Sequence, residues 1–299
     1  MREEKSGVIQ RLTKKGLIKP PQWVSGSTQY ETIMGSVAYG VSSDTSDMDI
    51  YGFCMPPKGI VFPHLEGYIK GFDSQIPNFD QFQKHHVKDK DNRKEYDLAI
   101  FSIIKYFKLC MDNNPNMIDS LFTPKECVLF ITPLGEMVRS NRRTFLHKGS
   151  WHKFKGYAFS QMHKMRIKNP EVGSKRYEMV QKYGYDLKFA YHVVRLLEEA
   201  EQIMMHGDID LQQNREQLKA IRRGEWTLKE VEDHFARKEK ELETLYIDSK
   251  IPKYPDEKTI KQLLVDVLEE YYGDLSKAII VPDKSTDVLK KIKGLLENY

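Results

Sequence analysis

The chain has 299 residues, of which 40% are hydrophobic and 30% charged, with a formal net charge of +4. That length allows one large domain or two ordinary ones, and the composition excludes a disordered chain. No apolar run reaches a membrane span, and the first 16 residues lack the apolar stretch of a secretory signal. The expectation is a cytoplasmic protein with no membrane partner. Cys54, Cys110 and Cys127 have no paired spacing and read as reduced packing residues rather than a disulfide framework or zinc site. The mild basic excess is compatible with a polyanionic partner without requiring one. Residues 1–28 are basic and punctuated by Pro20 and Pro21, predicting one helix and a connector.

Residues 30–34 form a β-rich run, followed by Gly35-Ser36-Val37-Ala38-Tyr39-Gly40, a loop, then Asp47-Met48-Asp49 and a second β-rich run over 50–55. The pattern predicts a strand ending at Gly35, a tight turn with one helical turn, and a loop returning into a strand. Strand residues two apart share a face, so Asp47 and Asp49 project together. Two carboxylates that close repel unless a cation lies between them. Oxygen-only ligands suit Mg²⁺, which completes its shell with water and phosphate oxygens. Gly35 and Ser36 supply backbone N–H groups at a helix start, suited to an anionic phosphate.

Gly-Ser followed by Asp-x-Asp on a strand resembles the DNA polymerase beta-like nucleotidyltransferase superfamily. The fuller string, GSVAYG with SDMDIYGF, is similar to its RlaP-type branch, predicted nucleotidyltransferases of RNA repair in bacteria and phages. The resemblance implies a site holding two Mg²⁺ (or Mn²⁺) ions, with Asp47 and Asp49 as catalytic metal ligands. It further implies that Gly35 and Ser36 bind the triphosphate of an NTP.

Pro56-Pro57-Lys58-Gly59 marks a turn, and residues 60–80 read as loops and short elements. Residues 84–94 are highly charged and read as an exposed connection, with His85 and His86 as solvated loop histidines; on a strand, adjacent residues would face opposite ways. Residues 95–101 regain period-2 alternation, with Tyr96, Leu98 and Ile100 on one face and Glu95, Asp97, Ala99 and Phe101 on the other. Period 2 alone admits Glu95 or Asp97 as a third carboxylate. The resemblance favours Asp97 as catalytic residue and metal ligand.

Residues 102–111 have helical periodicity, and Asn114-Pro115 sets the cap of a helix over 117–122. The NPNxxDxLF string is also similar to the branch and reads as architecture. From Pro133 strand signals nearly vanish. Residues 134–146 read as one helix, with Arg139, Arg142 and Arg143 complementing its dipole. Residues 149–169 form a basic amphipathic helix with Tyr157 and Gln161 on one face. Their Gly-Tyr-Ala-x-Ser-Gln string resembles the branch and implies nucleotide contacts. After a linker through Pro170, Gly173 and Gly184 comes a long helix over 186–205, stopped by Gly207. Lys188, His192 and Arg195 share a face of it. The resemblance implies that Lys188 and Arg195 bind the β- and γ-phosphates, with His192 orienting a neighbour. Residues 215–224 and 227–246 are further helices, the latter opened by a Thr227/Glu230 capping box. Residues 251–256 form a second linker, and the tail adds about two helices.

The expected fold is α+β: a small mixed sheet within a nucleotidyltransferase domain over 1–132 (core about 25–130), then a helical domain over 133–299. The expected reaction transfers NMP from an NTP to a hydroxyl acceptor, releasing pyrophosphate. The resemblance implies RNA, tRNA ends included, as acceptor. A protein or small-molecule acceptor, or a non-catalytic nucleotide- or RNA-binding module of the same fold, are the alternatives.

Overall fold

The computed structural model describes residues 6–42, 47–67, 69, 78–167 and 170–273. Five strands form one mixed sheet in the order β3-β4-β2-β1-β5. They are β1 (Thr28–Ile33), β2 (Met48–Cys54), β3 (Gln81–Asp89), β4 (Lys94–Ser102) and β5 (Val128–Ile131). β2 runs parallel to β4, and the other pairings are antiparallel. The fold is the expected α+β one.

Among the described residues the N-terminal half carries helices α1 (Val8–Lys14), α2 (Val24–Ser27), α3 (Gly35–Ala38), α4 (Lys58–Val61), α5 (Ile103–Met111) and α6 (Pro115–Phe122). The C-terminal half carries α7 (Pro133–Ser140), α8 (Gly149–Ile167), α9 (Lys175–Tyr183), α10 (Leu187–His206), α11 (Arg215–Arg222), α12 (Leu228–Asp248) and α13 (Glu257–Tyr272).

The alternation of β1 puts its two faces to different uses, and every residue of the strand is buried. Glu31 points to α1 and accepts the free N–H groups of Val8 and Ile9 at that helix's start. On the other face, the Tyr30 hydroxyl donates to the Ser120 carbonyl of α6 (2.7 Å). Phe53, opposite Tyr30 in β2, meets the Tyr106 ring of α5. Gly52 is fixed by close approach: a Cβ there would lie 1.9 Å from the Tyr30 carbonyl oxygen, which explains the glycine of the Tyr-Gly-Phe string. Buried apolar side chains continue from Val8 to Tyr272 as one core, crossing residue 132. α10 carries a buried apolar stripe, Ala190, Val193, Val194, Leu197, Ala200 and Ile203.

The structure corrects several sequence expectations. Residues 84–89 belong to edge strand β3, and only 90–93 form the connection. Lys84 and Lys88 are exposed on this edge strand, where lysines also deter pairing with another chain, so it reads as a loop. Between Pro170 and Gly184 lies α9, capped by the Ser174 side chain and stopped by Gly184 in the left-handed region. The helix expected over 134–146 breaks at Asn141 into α7 and a 3-10 turn. Arg139 does not complement a dipole from the surface: it is buried and donates to the Thr123 carbonyl. The N-terminal segment holds two helices rather than one. The loop over 43–46 and the second tail helix lie outside the described residues.

Candidate active site

The site is built where β1, β2 and β4 present their ends to α10. Gly35 takes φ 65°, a backbone conformation open chiefly to glycine. A Cβ there would lie 2.2 Å from Asp49 Oδ2, so the carboxylate rests against the bare backbone of the Gly35-Ser36 turn. The Met34 N–H donates to the Asp49 carbonyl (2.7 Å) and fixes that approach. No side chain caps α3, which begins at Gly35.

Asp49 and Asp97 are register partners across parallel β2 and β4, which puts both side chains on one face. Burial, with Asp97 and then Asp47 adding negative charge, holds the Asp49 carboxyl above its ordinary range; Lys188 and His85 oppose this. Of these, Asp97 is the register partner of Asp49, and His85 Nδ1 lies 3.5 Å from Asp97 Oδ1. Glu95 pairs with the edge strand, its carboxylate 2.6 Å from His86 Nδ1 and 3.9 Å from Lys88 Nζ. Of the two acids on β4, Asp97 is the one directly opposite Asp49 in the ladder. Among the described residues no three acidic, histidine or cysteine side chains converge tightly enough to enclose a metal. The donor set nonetheless suits a hard cation: oxygen ligands at neighbouring strand positions, beside a backbone too close for any side chain.

From α10, Lys188 and Tyr191 interact electrostatically with Asp49. Lys188 is exposed at its start. Burial, reinforced by Arg195 and Lys188, holds the His192 imidazole well below its usual range and keeps it neutral. Its ring lies 4.2 Å from that of Tyr191. Tyr51, two residues beyond Asp49 on the same face, is pushed up to about 12 by burial and by the Asp49 charge, with Tyr157 also contributing. The Tyr157 hydroxyl of α8 accepts from Asn114 Nδ2 (2.8 Å). Gln161 lines a groove along α8 with Tyr157, His152, Lys153 and Lys164. It touches none of the carboxylates.

Arg195 stands elsewhere than expected. Its guanidinium is buried beneath the site, paired with Asp119 and with Glu199 (3.0 Å), and stacked 4.2 Å over the Tyr39 ring. Tyr39 in turn donates to Asp119 (2.8 Å). A guanidinium that is buried and neutralised by two buried carboxylates is closed to a phosphate arriving from solvent, so the expected phosphate contact is withdrawn. Asp119 comes from the NPNxxDxLF string, whose reading as architecture missed this link between α6, α10 and the turn after Gly35. The signal was there: an Asp in an otherwise apolar helical face needs a cationic partner. Arg222 was also missed; it lies against the Tyr191 ring, 5.4 Å from its centroid, and donates to the Val41 carbonyl.

A family model described as "RlaP: RNA repair pathway DNA polymerase beta family" matches residues 3–270. An uncharacterized 38.9 kDa protein from the nrdC-mobD intergenic region of Enterobacteria phage T4 is 26% identical over 151 residues. That alignment spans 50% of this chain and 42% of the phage protein. Among solved structures, a nucleotidyltransferase-like protein from Exiguobacterium sibiricum 255-15 is 11% identical, covering 87% of this chain and 73% of that one. Its TM-score of 0.28 makes the likeness too loose to carry an argument.

Proposed function

Since the chain belongs to RlaP, the RNA repair pathway DNA polymerase beta family, and so to a nucleotidyltransferase-type family, we propose that it transfers NMP from an NTP to a hydroxyl of an RNA acceptor, releasing pyrophosphate. The observation that supports this most is the seat of Asp49, between Asp97 on the next strand and the side-chain-free backbone of Gly35. Asp47, Asp49 and Asp97 would hold Mg²⁺ or Mn²⁺, two ions as the family resemblance implies. Such ions, when bound, neutralise triphosphate charge and lower the pKa of an attacking hydroxyl.

The chain's own residues do the positioning. Gly35 and Ser36 hold the triphosphate through backbone N–H groups and the serine hydroxyl. Lys188 faces the β- and γ-phosphates and offsets charge that grows as pyrophosphate leaves. His192, neutral, orients a neighbouring group and takes no proton. Tyr157 and Gln161 flank the nucleotide from α8. The acceptor hydroxyl attacks the α-phosphorus in line, and most of the acceleration comes from alignment and charge neutralisation.

RNA as acceptor rests on the family description and on the lysines of the α8 groove. Transfer of label from each α-labelled NTP to small RNA, followed across a salt series, tests it. RNA transfer should weaken steeply as salt rises, because displaced counterions drive polyanion binding. Transfer that ignores salt, or label only on protein or a small molecule, would contradict an RNA acceptor.

A further inference from the structure

The edge strand β3 carries an irregularity opposite the site. Its ladder pairs Lys84 with Leu98 and then Val87 with Tyr96, so two residues, His85 and His86, face the single residue Asp97. A bulge of this kind leaves an extra residue outside the ladder and re-aims what lies beside it. His86 takes φ 55°, a left-handed conformation that is strained for a non-glycine residue. Its N–H donates to Asp97 Oδ1 (2.8 Å). His85 Nδ1 lies 3.5 Å from the same oxygen, and His86 Nδ1 lies 2.6 Å from Glu95 Oε1. One inserted residue thus fastens Asp97 from the edge strand and pairs Glu95 with the His86 ring. Adjacent residues on a regular strand face opposite ways. The bulge breaks that rule and turns both histidines toward the acidic face.

We propose that the His85–His86 bulge is a positioning device for the site, its backbone N–H at His86 fixing the Asp97 carboxylate beside Asp49. This rests on the reading of Asp47, Asp49 and Asp97 as the metal-binding acids. The backbone carries the effect, and the His86 imidazole secures Glu95. A donor fixing a metal ligand in this way is worth about 10-fold or more in metal affinity.

The test compares the full-length chain with His86→Gly, a deletion of His86, and Asp97→Asn, measuring binding of Mn²⁺ alone by electron paramagnetic resonance. Glycine keeps the N–H and adopts the left-handed conformation freely, so His86→Gly should bind within about 2-fold of the unaltered chain. The deletion restores an unbroken ladder and should weaken Mn²⁺ about 10-fold, toward Asp97→Asn. In NTP turnover the deletion should lower kcat with little change in KM. If the deletion unfolds, His86→Val, which keeps chain length but disfavours the left-handed backbone, carries the same expectation. Deletion or valine binding Mn²⁺ like the unaltered chain would overturn the inference. So would His86→Gly losing as much as the deletion, since the ring would then be responsible. Asp97→Asn binding normally, or no Mn²⁺ binding by the unaltered chain, would overturn the metal reading itself and the inference with it.

Discussion

Asp49 and Asp97 stand side by side on parallel strands, with the Asp49 carboxylate seated on the backbone of Gly35. Burial first, and the neighbouring Asp97 charge second, hold the Asp49 carboxyl above the ordinary carboxylate range. Such a pair destabilises the empty fold and is maintained for what binds there. Asp49→Asn is therefore expected to lose NMP transfer by at least about 100-fold. It should also raise folding stability by about 0.5–2 kcal/mol, read as the thermal midpoint without metal. A loss of activity accompanied by unfolding would refute this account of the pair.

Gly35→Ala should fail for a local reason. The added Cβ meets Asp49 Oδ2 at 2.2 Å, at a φ of 65° that alanine adopts poorly. The expected stability loss is about 1 kcal/mol from the backbone alone, with a larger loss in transfer because the carboxylate is displaced. A Gly35→Ala protein with unchanged kcat would show that the contact has no part in the site.

Arg195 separates architecture from ligand binding. Removing its guanidinium strands two buried carboxylates, Asp119 and Glu199, so Arg195→Met is expected to destabilise by about 3–5 kcal/mol in urea. Lys188→Ala should behave oppositely, raising the NTP KM with the denaturation midpoint unchanged. Were Arg195 a phosphate ligand, its replacement would resemble that of Lys188.

Glu31 sets a pH dependence far from the site. Burial holds its carboxyl up at about 7, against 4.5 for the free side chain, despite the N–H groups of Val8 and Ile9. The native state therefore keeps the proton over a range where the unfolded chain has lost it. Stability from this group is fully present below about pH 4.5 and is lost as pH rises through about 7, a change on the order of 3 kcal/mol. Glu31→Gln should flatten that slope between pH 5 and 8, as followed by chemical denaturation. An unchanged slope would mean another group sets it.

The parts of this protein legible in sequence are those where local pattern and chemistry coincide. Gly35 and Asp49 belong to one short string and meet locally, whereas alternation alone leaves Glu95 and Asp97 level and only the family resemblance favours Asp97. The capping box of Thr227 and Glu230 was equally local, and both of its bonds are present. What stayed hidden depends on distant chain. Arg195 shares a helix face with Lys188, yet what lies opposite it is Asp119, from 76 residues earlier. β3 was hidden by its lysines, and its bulge is set by pairing with β4, so nothing in the His-His dipeptide announces it. β5, four residues long, is too short for a period to register.

The most direct measurement is transfer of label from α-labelled NTP to small RNA in Mg²⁺ by the unaltered chain and by Asp49→Asn, with circular dichroism confirming that both are folded. The account predicts label on RNA with the unaltered chain and loss of at least about 100-fold in the folded variant. Equal transfer by a folded Asp49→Asn protein would contradict it.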